Sequence, residues 1–442
     1  MVGTAFDVTE RSARLRKRYA KSRELLERAK RTIPLGSQTF SKSHIQYPEC
    51  APLFLERGAG SHVWDVDGNE YIDFVSALAP VILGYDDGDV TSAVVEQLHK
   101  GVSFSLPTPL EAELSEMLVD IIPCAEMVRF GKNGTDATSA AIRLARAYTK
   151  RDRVAVCGYH GWQDWYIGST ARSLGVPPAV RELTSTFQYN NLESLRNALA
   201  AHPGEFAAVI MEPLSVDPPE PGFLEGVRDL AHEHGALFVL DEIITGFRVD
   251  LGGAQTLTGV TPDLASFGKS MANGFPMAAI VGKAEYMSLM EDIFYSGTFG
   301  GEALSLAASI ATIKKMQREP IHQRLNLAGE RIMEKNRELI AKHGLEDYVM
   351  VKGHPTWNLL IFKDGPKATL WETKSLYLEE LLAQGILFIG SHNMSYAHSD
   401  EDLAKLAQAQ DAAFGLLRQA LDHGNVRDYL TGPPLEPLFR VR

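Results

Sequence analysis

Cysteine is scarce in this 442-residue chain: Cys50, Cys124 and Cys157 are the whole complement, and no CxxC pair occurs. An odd count without that spacing excludes a disulfide framework and a zinc site of standard pattern, and it predicts a reducing, cytoplasmic setting. Long apolar runs are missing too. No stretch approaches the roughly 18 uninterrupted apolar residues of a membrane helix, and the first residues lack the apolar core of a signal peptide, so no membrane partner is expected. Basic charge is not in excess: 44 Lys and Arg against 56 Asp and Glu leave a net −12 at neutral pH. That sign repels nucleic-acid phosphates, so nucleic acid is not expected as a partner either. Internal repeats and low-complexity tracts are absent, which excludes solenoids and propellers.

What remains is a chain with 45% hydrophobic and 23% charged residues, enough for a large core. Between Arg11 and Arg31 ten Lys and Arg stand against two Glu. Leu15, Tyr19, Leu25, Leu26 and Ala29 predict one helix there, with a solvated basic face. His62–Asp65 and Glu70–Phe74 flank Asp67-Gly68-Asn69, a hairpin signal. The middle of the chain alternates short apolar runs with helical patterns, and Ala207–Met211 and Ala236–Leu240 are apolar at successive positions. Strands of that kind are covered on both faces in a largely parallel sheet. The fold class is therefore α/β: a large domain over 83–315, and a smaller α+β lobe from an N-terminal segment, 1–82, and a C-terminal one, 316–442. In that last part, short strands are expected near Asn358–Phe362 and Ile386–Ile389, and a long helix from about Asp400 to Leu421.

Ligands of parallel sheets collect beyond the carboxyl ends of the strands. The polar residues that follow these apolar runs are Tyr159-His160-Gly161, Glu212, Asp241 and Lys269. A further segment, Asn133-Gly134-Thr135, opens a helical pattern with Ala140, Ala141, Leu144, Ala145 and Tyr148 on its inner side. Backbone amides at such a helix start, with the Thr135 hydroxyl, suit a phosphate. One molecule would use all of these groups. Pyridoxal phosphate needs a lysine for its aldehyde, a carboxylate for its ring nitrogen and a helix N-terminus for its phosphate. Tyr159 and Ile243 would press its two faces.

Taken in order, PLFLERGAGSHVWDVDGNEYIDF, ILGY, NGTDATSAAIRLARAYT, YHG, MEP, DEIITGFRV, FGKSMANGFPMAAIVG, SGTFGG and YAHSDEDL resemble the class III, fold-type-I aminotransferases that use pyridoxal phosphate, including their glutamate-1-semialdehyde aminomutase branch. The resemblance spans nearly the whole chain. It implies that Lys269 is the Schiff-base lysine, that Asp241 partners the pyridine nitrogen and that Tyr159 stacks on the ring. Asn133, Gly134, Thr135, His160, Glu212 and Ile243 complete the cofactor set. Thr298, in SGTF, is implied to reach the phosphate of a neighbouring subunit, so a homodimer with active sites at its interface is expected.

The substrate side departs from that branch. Lys42 stands where the aminomutase has a carboxylate-binding arginine, and the bidentate fork is missing. The stretch Gly390–His398 is shorter and lacks an acid. Asp217 takes the place of an asparagine. Ser41, Lys42, His44, His392 and Asn393 are hydrogen-bonding groups suited to a hydroxylated ring, and the TFSKS and HNMSYAH strings resemble family members of aminosugar and aminoglycoside pathways. The expected reaction moves an amine from a donor such as glutamate to a keto or aldehyde group of a sugar. An aminomutase-type isomerase, a deaminating or dehydrating enzyme and a silent cofactor-binding scaffold are the alternatives.

Overall fold

A computed structural model describes residues 7–437. Contacts divide the chain into two units. The first takes the chain up to Leu78, Leu83–Asp86 and the part from Leu325 onward; the second takes Ala79–Ile82 and Asp87–Arg324.

In the first unit the basic N-terminal stretch forms two helices, Val8–Arg18 and Ala20–Ala29, where the sequence suggests one. Tyr19 between them is fully buried. The Asp67 carboxylate accepts the N–H groups of Lys21 (2.7 Å) and Ser22 (2.9 Å) and so starts the second helix. That acid lies far along the chain, so local periodicity holds no sign of the break. The basic face is only partly solvated: Arg11 is buried and pairs with Glu380 at 2.8 Å, and Arg16 pairs with Glu49 at 2.7 Å.

Strands β2 (His62–Asp65) and β3 (Glu70–Asp73) form the expected hairpin, and β1 (Leu55–Ala59), which the sequence did not signal, pairs antiparallel with β2. The hairpin's tight turn is closed by the Asp65 carboxylate, which accepts from Asp67 N (3.0 Å) and Asn69 N (2.7 Å).

The second unit holds β4 (Met127–Gly131), β5 (Arg153–Cys157), β6 (Thr184–Thr186), β7 (Phe206–Met211), β8 (Leu237–Glu242), β9 (Leu264–Phe267) and β10 (Ala278–Gly282). Their order is β4-β10-β9-β8-β7-β5-β6. Strands β6, β5, β7, β8 and β9 run parallel, and β10 is antiparallel to both β9 and β4. Every residue of β7 and β8 is buried, as expected of strands with continuous apolar runs.

The helix Gly134–Thr149 packs Ala140, Ala141, Leu144 and Ala145 into a cluster with Ile210, Val239 and Ile280. Each fully buried Ile, Leu or Val there contributes about 1.5–3 kcal/mol. Tyr148 does not join them. It is 38% exposed, and its hydroxyl donates to Glu285.

Back in the first unit, β11 (Val349–His354), β12 (Trp357–Phe362) and β14 (Ser391–Asn393) form an antiparallel sheet, and β13 (Ile386–Leu387) adds in parallel to β3. The long C-terminal helix runs Asp400–His423. It starts on a capping box in which Ser399 and Asp402 satisfy each other's amides.

Candidate active site

The topology of the second unit gathers the candidate residues before any side chain is considered. Because β4, β5, β7, β8 and β9 all point the same way, their carboxyl ends share one edge of the sheet. Along that edge lie the start of the Gly134–Thr149 helix, Tyr159-His160, Glu212, Asp241 and, just past β9, Lys269.

Asp241 is 4% exposed, a position that an ionised carboxylate holds only with partners. One oxygen meets His160 Nδ1 at 2.7 Å, and the other accepts the N–H of Ile243 at 3.1 Å. His160 is 1% exposed; its ring stacks on Trp165 at 6.3 Å, and its carbonyl accepts the Thr138 hydroxyl at 2.9 Å. Its Nε2 has no hydrogen-bond partner. Glu212 accepts the backbone N–H of Tyr159 at 3.0 Å. Gly158, at φ +106°, lets that carboxylate come close, since a Cβ there would stand 2.4 Å from its oxygen. Burial, then the charge of Asp241, pushes the Glu212 carboxyl up.

Lys269 begins a single 3-10 turn and has φ +38°, a left-handed conformation rare for lysine. Burial pulls its amine down, Glu212 and Asp241 pull it back up, and Arg248 lowers it again. Tyr159 is 53% exposed, an open ring beside these charges. Ile243 fills the space over Gly134 and Gly268.

At the helix start, the Asp136 carboxylate accepts the N–H groups of Lys132 (3.0 Å) and Asn133 (2.8 Å), which folds the loop onto the first turn. The Thr135 side chain is buried, yet its hydroxyl has no partner. Gly161 keeps the space beside it clear, because a Cβ there would lie 2.4 Å from Thr135 Oγ1. An orphaned buried hydroxyl at a helix N-terminus, on the same sheet edge as a lysine and a buried carboxylate, fits pyridoxal phosphate.

Of the sequence-derived site residues, Asn133, Gly134, Thr135, Tyr159, His160, Glu212, Asp241, Ile243 and Lys269 all lie along this edge. Thr298 is exposed in the same unit. Asp217 is exposed. Lys42 and His44 belong to the first unit, where both line a cavity of about 460 Å³. His392 and Asn393 lie in that unit's interior, 0% and 4% exposed. His392 meets Asn358 Oδ1 at 2.8 Å and Gln410 Nε2 at 3.0 Å, and the Asn393 amide donates to Val75 O at 2.8 Å. Both ring nitrogens of His392 are thus already engaged within the fold, so the structure does not offer it as a substrate contact.

Arg248, in the loop that follows β8, is fully buried and donates to Ala79 O at 2.6 Å. Glu242 stands beside Asp241 at the strand end in the sequence, where it carries no assigned role. It is fully buried and accepts from Thr245 Oγ1, Ala254 N and Gln255 N, which ties down the loop after Asp241. Its signal was the second acid of Asp241-Glu242, inside an otherwise apolar strand.

Among the described residues no cluster of three or more His, Cys, Asp or Glu is arranged for a metal ion, and no helix is long and apolar enough to cross a membrane.

Residues 45–409 match the family described as aminotransferase class-III. A 3-aminobutyryl-CoA aminotransferase from Cloacimonas acidaminovorans (strain Evry) is 38% identical over 402 residues, covering 89% of this chain and 96% of that protein. A glutamate-1-semialdehyde 2,1-aminomutase from Brevibacillus brevis is 36% identical over 419 residues, covering 88% and 97%. Among solved structures, the FumI protein of Sphingopyxis sp. MTA144, in its PLP internal aldimine form, superposes with a TM-score of 0.85 at 30% identity, covering 91% of this chain and 98% of that one.

Proposed function

Since the chain belongs to the class-III aminotransferase family, we propose that it moves an amino group from a donor amine to the carbonyl of an acyl-chain acceptor whose reacting carbon is set back from its carboxyl or thioester end. It is a transaminase of fold type I that depends on pyridoxal phosphate. One observation carries the reading: the Asp241–His160 pair at 2.7 Å, on the sheet edge that also bears Lys269 and the open Thr135 hydroxyl.

Bound there, pyridoxal phosphate supplies a carbonyl for exchange and a ring that takes up the electron pair left when a C–H bond of the substrate breaks. The protein's own groups do the rest. Gly134, Thr135 and the helix amides hold the phosphate. Asp241, oriented by His160, keeps a proton on the ring nitrogen. Tyr159 and Ile243 cover the ring's two faces. The Lys269 amine would hold the group at its carbonyl and, when free, would take a proton from one carbon of the reacting system and return it to the other. Its depressed pKa favours the neutral base that this task needs. Glu212 fixes the backbone at Tyr159.

The acyl-chain reading is supported by the name of the 38% identical relative. A keto-sugar acceptor is the second reading, favoured by the hydrogen-bonding Ser41, Lys42 and His44 of the sequence. It loses the support of His392, which is bonded inward.

A homodimer also fits. Phe104, Leu106, Phe294 and Phe299 are 51%, 78%, 84% and 59% exposed, on loops joined by the Ala303 N–H to Val102 carbonyl bond. Large apolar side chains exposed on neighbouring loops are the kind of surface that a second copy would cover, with Thr298 carried towards that copy's phosphate.

The test is to load the protein with pyridoxal phosphate, bleach its visible absorbance with glutamate or other amines, and offer 3-oxoacyl thioesters, short keto acids and oxidised sugars in turn. Return of the absorbance with an acyl acceptor supports the first reading, and return only with sugars supports the second. Turnover without any external donor would make it an isomerase. A deoxy product by mass spectrometry would reveal elimination, and absorbance that no amine bleaches would leave only a scaffold.

A further inference from the structure

Lys269 sits in a strained turn, and its left-handed backbone has to be held by something outside the turn. The next residue shows what. Ser270 is fully buried, and its hydroxyl donates to Ala79 O at 3.2 Å; Arg248 Nη2 donates to the same oxygen at 2.6 Å. Ala79 is itself left-handed, at φ +82°, which turns its carbonyl towards both donors. A guanidinium and the neighbour of the reactive lysine therefore share one acceptor.

The guanidinium is itself placed by the strand end. Glu242 ties down the loop through Thr245, Ala254 and Gln255; Phe247 adopts φ +60°, and His322 Nε2 bonds its carbonyl at 3.1 Å.

We propose that Arg248 is a positioning residue for Lys269: through the Ala79 carbonyl it locks Ser270 and the turn that carries the amine, and it keeps a fixed positive charge within reach of that amine. The assignment rests on Lys269 being the residue that links to pyridoxal phosphate. The other charged groups facing Lys269 are Glu212, at the end of β7, and Asp241, at the end of β8, with His160 behind Asp241. None of them is altered by a change at Arg248. Loss of the guanidinium removes a like charge, so Lys269 would hold its proton to higher pH.

The experiment measures the rate at which cofactor-free protein develops visible absorbance on adding pyridoxal phosphate, from pH 6 to 10, for the parent, Arg248→Lys, Arg248→Met and Ser270→Ala, with thermal unfolding recorded alongside. In Arg248→Met the pH of half-maximal rate is expected to rise by about one unit, and Arg248→Lys should return it towards the parent value. Ser270→Ala keeps the charge and loosens the turn, so its rate should fall about 10-fold, the worth of one hydrogen bond, with the midpoint unmoved.

An unchanged midpoint in a folded Arg248→Met protein overturns the electrostatic half of the proposal. Should that variant not fold, Arg248→Lys and Ser270→Ala still decide: parent-like loading rates in both overturn the positioning half. A parent protein that never gains absorbance would instead sink the assignment of Lys269.

Discussion

Two buried histidines show how differently the two units use the same side chain. His392, in the first unit, is closed. Its Nδ1 faces Asn358 Oδ1 and its Nε2 faces Gln410 Nε2, which fixes a neutral ring with the proton on Nδ1. His160, in the second, is open. Its Nδ1 meets the Asp241 carboxylate, while Nε2 lacks a partner, as does the nearby Thr135 hydroxyl. Proteins rarely leave buried polar atoms unmatched without a use for them. The satisfied network specifies packing; the unsatisfied one marks where a ligand completes the structure.

The strongest way to break this contrast is at the lysine. Lys269→Ala should lower turnover by at least about 10⁴-fold and abolish the visible absorbance, because both proton transfer and covalent exchange go. Stopped-flow absorbance with a donor amine reads both. Next, Asp241→Asn should cost on the order of 10² to 10³ in turnover, the usual effect of removing one group aimed at developing charge. Steady-state kinetics would show it in kcat more than in KM.

Thr135→Ala gives a subtler but sharper result. Its hydroxyl bonds nothing in the protein, so the melting temperature without cofactor should stay put while the Kd for pyridoxal phosphate rises about 10-fold. Equilibrium titration and differential scanning fluorimetry together check it. A loss of stability equal to the loss of affinity would mean that Thr135 belongs to the closed kind of network after all.

The legible parts of the sequence share a cause. Continuous apolar runs predicted the parallel strands β7 and β8, and turn residues predicted the β2–β3 hairpin, since both are written in neighbouring residues. The carboxyl-edge rule then located Tyr159, Glu212, Asp241 and Lys269 without an aligned relative. What stayed hidden depends on distant partners. The helix break at Tyr19 is made by Asp67, and the inward turn of His392 needs Gln410 from another element. A histidine in a polar loop reads alike from sequence whether it faces substrate or core. Arg248 was visible as an arginine, but the Ala79 carbonyl that it holds was not.

The effect furthest from the chemistry concerns two buried groups of the first unit whose proton affinities oppose each other. Burial, then the nearby His398, pushes His392 from 6.5 down to about 3. A histidine with a lowered folded pKa contributes stability above its unfolded value and loses it as pH falls. Glu379 is 2% exposed, and burial raises it from 4.5 to about 7 against the pull of Arg11. A raised carboxyl contributes stability below its unfolded value and loses it as pH rises. Between those unfolded values, 4.5 and 6.5, the two slopes have opposite signs and largely cancel. His392→Gln should therefore expose a stability that falls with pH, and Glu379→Gln one that rises. Each would differ from the parent by about 1.4 kcal/mol per pH unit. Urea unfolding at pH 4.5, 5.5 and 6.5 measures this, and parallel curves for all three proteins would show that neither group titrates as the fold dictates.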